Sequence, residues 1–134
     1  MTHGIIYSKR GFYVGDICYA MPDEIYKNCW IDAQGCENGV FFIPSEISGI
    51  PDGCFFAVAS TAWGDGCYTD NAGRRYPVDA GVIGVLPLEL VDFNRYTDDG
   101  HIFCNPGICT FTANAGKFTI EIPDGELITI DTND

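Results

Sequence analysis

The sequence predicts an all-β domain, a mainly antiparallel sandwich or barrel of about nine short strands, with one short helix near residues 22–30. Three observations point there. Short apolar or alternating runs follow one another along the chain, turn signals built from Gly, Pro, Asn and Asp separate them, and 3.6-residue periodicity is almost absent. With 134 residues, 46% hydrophobic and 19% charged, the chain can bury one sizeable core, so residues 1–134 are expected to form a single β-rich domain and not a disordered segment.

The expected elements follow in order. Gly4–Tyr7, a Ser8-Lys9-Arg10-Gly11 turn and Phe12–Val14 make a first hairpin. The helix spans Pro22 to Trp30. Pro22 suits the first helical position, Asp23 and Glu24 favour the positive end of the helix dipole, and Ile25, Cys29 and Trp30 share one face. Val40–Ile43 and Cys54–Thr61 are strands joined by a connection that ends in the Pro51-Asp52-Gly53 turn. Cys67–Thr69 and Arg75–Val78 form a hairpin about Asp70-Asn71-Ala72-Gly73, where Asn and Gly tolerate positive φ. Val82–Leu86 is continuously apolar, as in a strand covered on both faces. Pro87–Val91 fits a helical turn or an edge strand. Ile102–Cys104, Ile108–Thr112, Phe118–Ile122 and Leu127–Ile130 read as a meander. Within it Phe118, Ile120 and Ile122 face the core while Lys117, Thr119 and Glu121 face water. Thr132-Asn133-Asp134 is expected to fray.

Charge narrows the function classes. Seven Lys and Arg stand against 19 Asp and Glu, a net charge of −12, which disfavours nucleic acid and anionic membrane surfaces as partners. Only four of the acids, with three of the bases, precede Glu37, so the acidity belongs to the rest of the chain. Asp52, Asp70 and Asp124 are turn residues, suited to local hydrogen bonding. No apolar run approaches the roughly 18 residues of a spanning helix. Met1-Thr2-His3-Gly4 opens no export signal, and the expectation is a cytoplasmic protein. Seven cysteines without framework spacing then read as reduced thiols, with Cys54, Cys104 and Cys109 as small buried hydrophobes. His101, Cys104 and Cys109 are the weak candidates for zinc, since their spacing follows a turn and not a Cys-x2-Cys knuckle. No cofactor motif is present, and no catalytic residue is assigned.

The densest segment runs from Trp63 to Gly81. It carries Trp63, Asp65, Tyr68, Asp70, Arg75 and Asp79, the aromatic, acidic and guanidinium mix of recognition surfaces. Asp65 and Asp79 flank the hairpin at similar distances from its turn; capping of their own glycine turns is preferred over a shared site. Ahead of the helix, Asp16 in Gly15-Asp16-Ile17-Cys18-Tyr19 is placed to fix the chain through backbone N–H groups, with Tyr19 beside it.

Gly15-Asp16-x-Cys18-Tyr19, Asp65-Gly66 and Tyr76-x-Val78-Asp79-Ala80-Gly81, followed by Ile83-Gly84 and Pro87, carry a resemblance. Over Tyr13–Pro87 the chain resembles small bacterial and phage proteins of a domain-of-unknown-function family with a Val-Asp-Ala-Gly segment. The resemblance implies a bacterial or phage setting, no particular activity, and one common feature served by Asp16 and Asp79. The expected function is a non-catalytic binding or accessory module for a protein or small-molecule ligand. Its contact residues would be Asp16, Tyr19, Trp63, Asp65, Tyr68, Asp70, Arg75 and Asp79. Two alternatives stand beside it: an acidic inhibitor, of the immunity or counter-defence kind, covering a basic partner, and a carboxylate- or metal-dependent hydrolase using a pair such as Asp65 and Asp79.

Overall fold

The computed structural model describes residues 1–133 and contains eleven strands. In chain order these begin β1 (Thr2–Ser8), β2 (Phe12–Gly15), β3 (Gly39–Ile43), β4 (Cys54–Ser60), β5 (Gly66–Thr69) and β6 (Arg75–Val78). They continue with β7 (Val82–Pro87), β8 (His101–Phe103), β9 (Gly107–Asn114), β10 (Lys117–Glu121) and β11 (Leu127–Asp131). A four-stranded sheet has the order β1-β9-β10-β11, a five-stranded sheet β3-β4-β7-β2-β8, and β5-β6 stand as a separate two-stranded ribbon. Every pairing is antiparallel. The sheets are open, and the larger two pack face to face, so the architecture is a sandwich and not a barrel.

Alternation builds the inter-sheet core. Ile6, Phe111, Phe118, Ile120, Ile128 and Ile130 from one sheet meet Phe12, Val14, Ala57, Ile83 and Val85 from the other. The opposite face of the five-stranded sheet is also covered. There Tyr13, Phe56, Val58 and Leu86 pack under Ile17, Met21, Ile25 and Trp30 of the helical segment and under Leu88 and Leu90. This double burial is why β7 reads as an unbroken apolar run. Gly84 in β7 has no room for a side chain: a Cβ would stand 2.4 Å from the Ala57 carbonyl oxygen and 2.7 Å from Ile17.

Several expectations need correction. The runs around Ser8–Gly11 do not pair with each other: β1 joins β9 and β2 joins β7 and β8, in different sheets. Ser8 turns the chain instead. Its hydroxyl accepts from the Arg10 and Gly11 N–H groups and donates to Glu89, carrying the chain from one layer to the other. The C-terminal meander is β9-β10-β11 alone, since β8 pairs with β2. The helix begins as α1 (Asp23–Ile25) with Pro22 as its cap and continues as a π-helix over Tyr26–Asp32. Bonding from i to i+5 widens the turn, so Ile25 and Trp30 are both buried while Cys29 is half-buried. A second short helix, α2 (Ser45–Ser48), lies in the connection before β4, and Leu88–Leu90 is a 3-10 turn. Thr132 is fully buried, not frayed: its hydroxyl donates to the Gly116 carbonyl (2.6 Å) and accepts from the Ala62 N–H (2.8 Å). Asn133 is tied to Asp131 and Ala115, and Asp134 lies outside the described residues. Cys104 is exposed, whereas Cys54 and Cys109 are buried as expected.

Candidate functional site

The ribbon β5-β6 closes one side of the sandwich. Its turn is organised by Asp70, whose side chain is shut away from solvent. One carboxylate oxygen accepts from the Ala72 and Arg74 backbone N–H groups at 2.8 and 2.9 Å. The other accepts from the Arg74 guanidinium at 2.9 Å and the Tyr76 hydroxyl at 2.7 Å. Burial alone would raise the Asp70 pKa; the Tyr76 hydroxyl, the two N–H groups and the Arg74 charge outweigh it and hold the carboxyl below its ordinary range. Tyr76 itself is pushed well up by burial and by that carboxylate.

The wall is seamed to both sheets. On the four-stranded side Asn71 behaves as an added strand residue: its N–H donates to the Thr129 carbonyl, its amide oxygen accepts from the Thr129 N–H, and its amide nitrogen donates to Leu127. On the five-stranded side the His101 Nε2–H donates to the Arg75 carbonyl at 2.8 Å, and its ring lies edge-on to Tyr76 at 4.7 Å between centroids. The Arg74 guanidinium sits 5.0 Å above the Phe103 ring and pairs with Glu126.

At the base of the ribbon, Asp16 is the second tie. It is fully buried and accepts from Cys18 N–H (3.0 Å), Asp79 N–H (2.8 Å) and Ala80 N–H (2.7 Å). The Tyr13 hydroxyl donates to its carbonyl. Asp16 and Asp79 therefore do share one feature, through the Asp79 backbone and not its carboxylate. Tyr19 is half-buried beside Asp79, and burial together with that carboxylate raises its pKa. Asp65 and Asp79 each lie one residue beyond the Gly66–Val78 pair that ends the ribbon, and both are exposed.

The sequence-predicted residues thus divide. Asp16, Tyr68 and Asp70 are buried with their polar atoms spent internally, Tyr68 donating its hydroxyl to the Gly64 carbonyl. Trp63, Asp65, Arg75 and Asp79 are exposed. Trp63 is 72% exposed, and its indole N–H donates to the Asn133 carbonyl. His101, Cys104 and Cys109 do not converge: His101 is bonded to Arg75, Cys104 is exposed and Cys109 lies in the core. Among the described residues no group of three or more His, Cys, Asp or Glu side chains is placed to hold a metal ion. Burial pushes the Cys54 thiol to about 11 and Cys109 to about 12, and raises Cys18, so all three stay protonated at neutral pH.

Outside the wall, the ribbon and the outward face of β10-β11 enclose an open groove of about 650 Å³. Cys67 and Thr69 line one side; Lys117, Thr119, Thr129 and Asp131 line the other. The Asn133 backbone and side-chain N–H groups keep the Asp131 carboxyl below its usual range. The far side went unseen in the sequence because alternation marks Lys117 and Thr119 as outward without showing which surface stands beside them. Among the described residues no helix is long and apolar enough to cross a membrane. Comparison with protein-family models, curated proteins and solved structures gives no match.

Proposed function

We propose that this protein is a non-catalytic binding module of a bacterial or phage cytoplasm, contacting its partner through the groove between β5 and β10-β11 and through Trp63 beside it. The observation that carries this reading is the groove, a concave surface with hydroxyl, ammonium and carboxylate groups on rigid strands. Trp63 adds a large, fixed aromatic surface of the kind that dominates interface energetics. The partner that fits is a cationic protein, because the chain carries a net charge of −12 and exposed Asp131 lines the groove. An inhibitor that covers a basic surface is the narrower form of the same reading. The hydrolase reading has less to stand on: Asp65 and Asp79 are solvent-facing and neither lines the groove.

Capture from a bacterial lysate across a salt series tests it, comparing wild type with Trp63→Ala and Thr129→Arg. Wild type should recover basic proteins whose yield falls as salt rises, and both variants should lose them while melting at the wild-type temperature. Equal recovery by all three proteins, or recovery insensitive to salt, would overturn the reading.

A further inference from the structure

We infer that the uncovered edge of the four-stranded sheet pairs with a second copy of this chain, β1 against β1, to give a two-fold symmetric dimer with a continuous sheet. β1 pairs with β9 on one side and, among the described residues, has no neighbouring strand on the other. It is seven residues long and carries none of the features that blunt an edge: no proline, no lysine, and no acid pointing inward. Its outward side chains are apolar instead. Ile5 is 58% exposed, Tyr7 60%, and Ile108, directly opposite Tyr7 on β9, 55%. The patch continues past the edge onto the paired rings of Phe42 and Phe55, which are also exposed.

Charge selects the occupant. Bringing together two copies of a chain with net charge −12 is opposed by their mutual field wherever carboxylates face each other. β1 and β9 contain no acidic residue, and the bases Lys9 and Arg10 follow β1 directly. The one carboxylate at the end of β1, Glu89, is held by the Ser8 hydroxyl and the Lys9 N–H, so two copies can meet along this edge with little carboxylate repulsion, whereas a cationic partner gains little there. Antiparallel strand pairing is also self-complementary under a two-fold axis. An axis through Ile5 sets Ile5 against its own copy and His3 against Tyr7 of that copy, all on the outer face.

Sedimentation velocity over a concentration series decides the matter. Wild type should move to twice its monomer mass by tens of micromolar, and the β1 amides that do not bond β9 should become protected from hydrogen exchange over the same range. Ile5→Lys places like charges opposite each other and should hold the protein at monomer mass with unchanged circular dichroism, while Thr119→Lys on the same sheet should dimerise normally. A wild-type monomer at every concentration overturns the inference. So does a dimer that survives Ile5→Lys with the open-edge β1 amides still exchanging freely, which would put another surface at the interface.

Discussion

The two sides of the sandwich are finished in opposite ways. On the side of β11 and β8, the β5-β6 ribbon is laid across the gap, and Tyr68, Tyr76 and Val78 complete the inter-sheet core. Asp70 ties the ribbon's own turn together, and polar ties at Asn71, Arg74 and His101 fasten the ribbon to both sheets. On the side of β1 and β3, both edges end without a neighbouring strand among the described residues, and exposed Tyr7, Phe42 and Phe55 stand around them. The difference teaches that the most conspicuous segment of the sequence is first a wall, and only its outer surface lines the groove proposed as a site. A polar, aromatic hairpin is costly to bury, and it is buried here because nearly every polar atom it brings inward has a partner.

If the closed side depends on those ties, Asp70→Ala should have the largest effect. It orphans the Tyr76 hydroxyl and part of the Arg74 charge and should cost about 3 kcal/mol in urea unfolding. A loss under about 1 kcal/mol would show that apolar packing alone holds the wall. Next comes Tyr76→Phe, expected to cost about 1–2 kcal/mol. Its effect on pH dependence sharpens the test. Asp70 has a folded-state pKa below its unfolded value, so its contribution is complete above the unfolded carboxylate pKa of about 3.9 and is lost as pH falls from there through the folded value. Removing the Tyr76 hydroxyl takes away one of the groups that lower the folded value and moves it toward the unfolded one, so stability measured against pH should decline less steeply on the acid side than in wild type.

Asn71→Ala should cost about 1 kcal/mol and speed hydrogen exchange at the Thr129 amide, whose partner is the Asn71 side chain. On the open side the monomer should be indifferent: Phe42→Ser is expected to change unfolding stability by no more than about 0.5 kcal/mol. A larger loss there would mean that the exposed rings stabilise the monomer, and the contrast between the two sides would fail.

Much of the architecture was legible. Lys117–Glu121 alternates so regularly that its inward set, Phe118 and Ile120, needed no structure to identify. Asp16 was recognisable as a backbone tie from its place between a strand and a helical turn. Tyr68 and Asp70 were harder, since an aromatic and an acid beside a glycine turn look the same whether the hairpin projects into water or folds back over a core. Thr132 was similarly hidden: nothing local shows that Gly116 and Ala62 converge on its hydroxyl.

By itself, then, the sequence determined the all-β class, most strand positions, the turns and the helical segment, because alternation, turn chemistry and helix entry depend on residues a few positions apart. Tertiary structure alone decided that β1 leaves its neighbour for β9, that β8 joins β2, and that β5-β6 seals one side while β1 is left open. Those choices depend on contacts between residues as much as about a hundred positions apart. Period-two alternation assigns each side chain to one of two faces but carries no information about which strand, or which chain, lies beyond the edge.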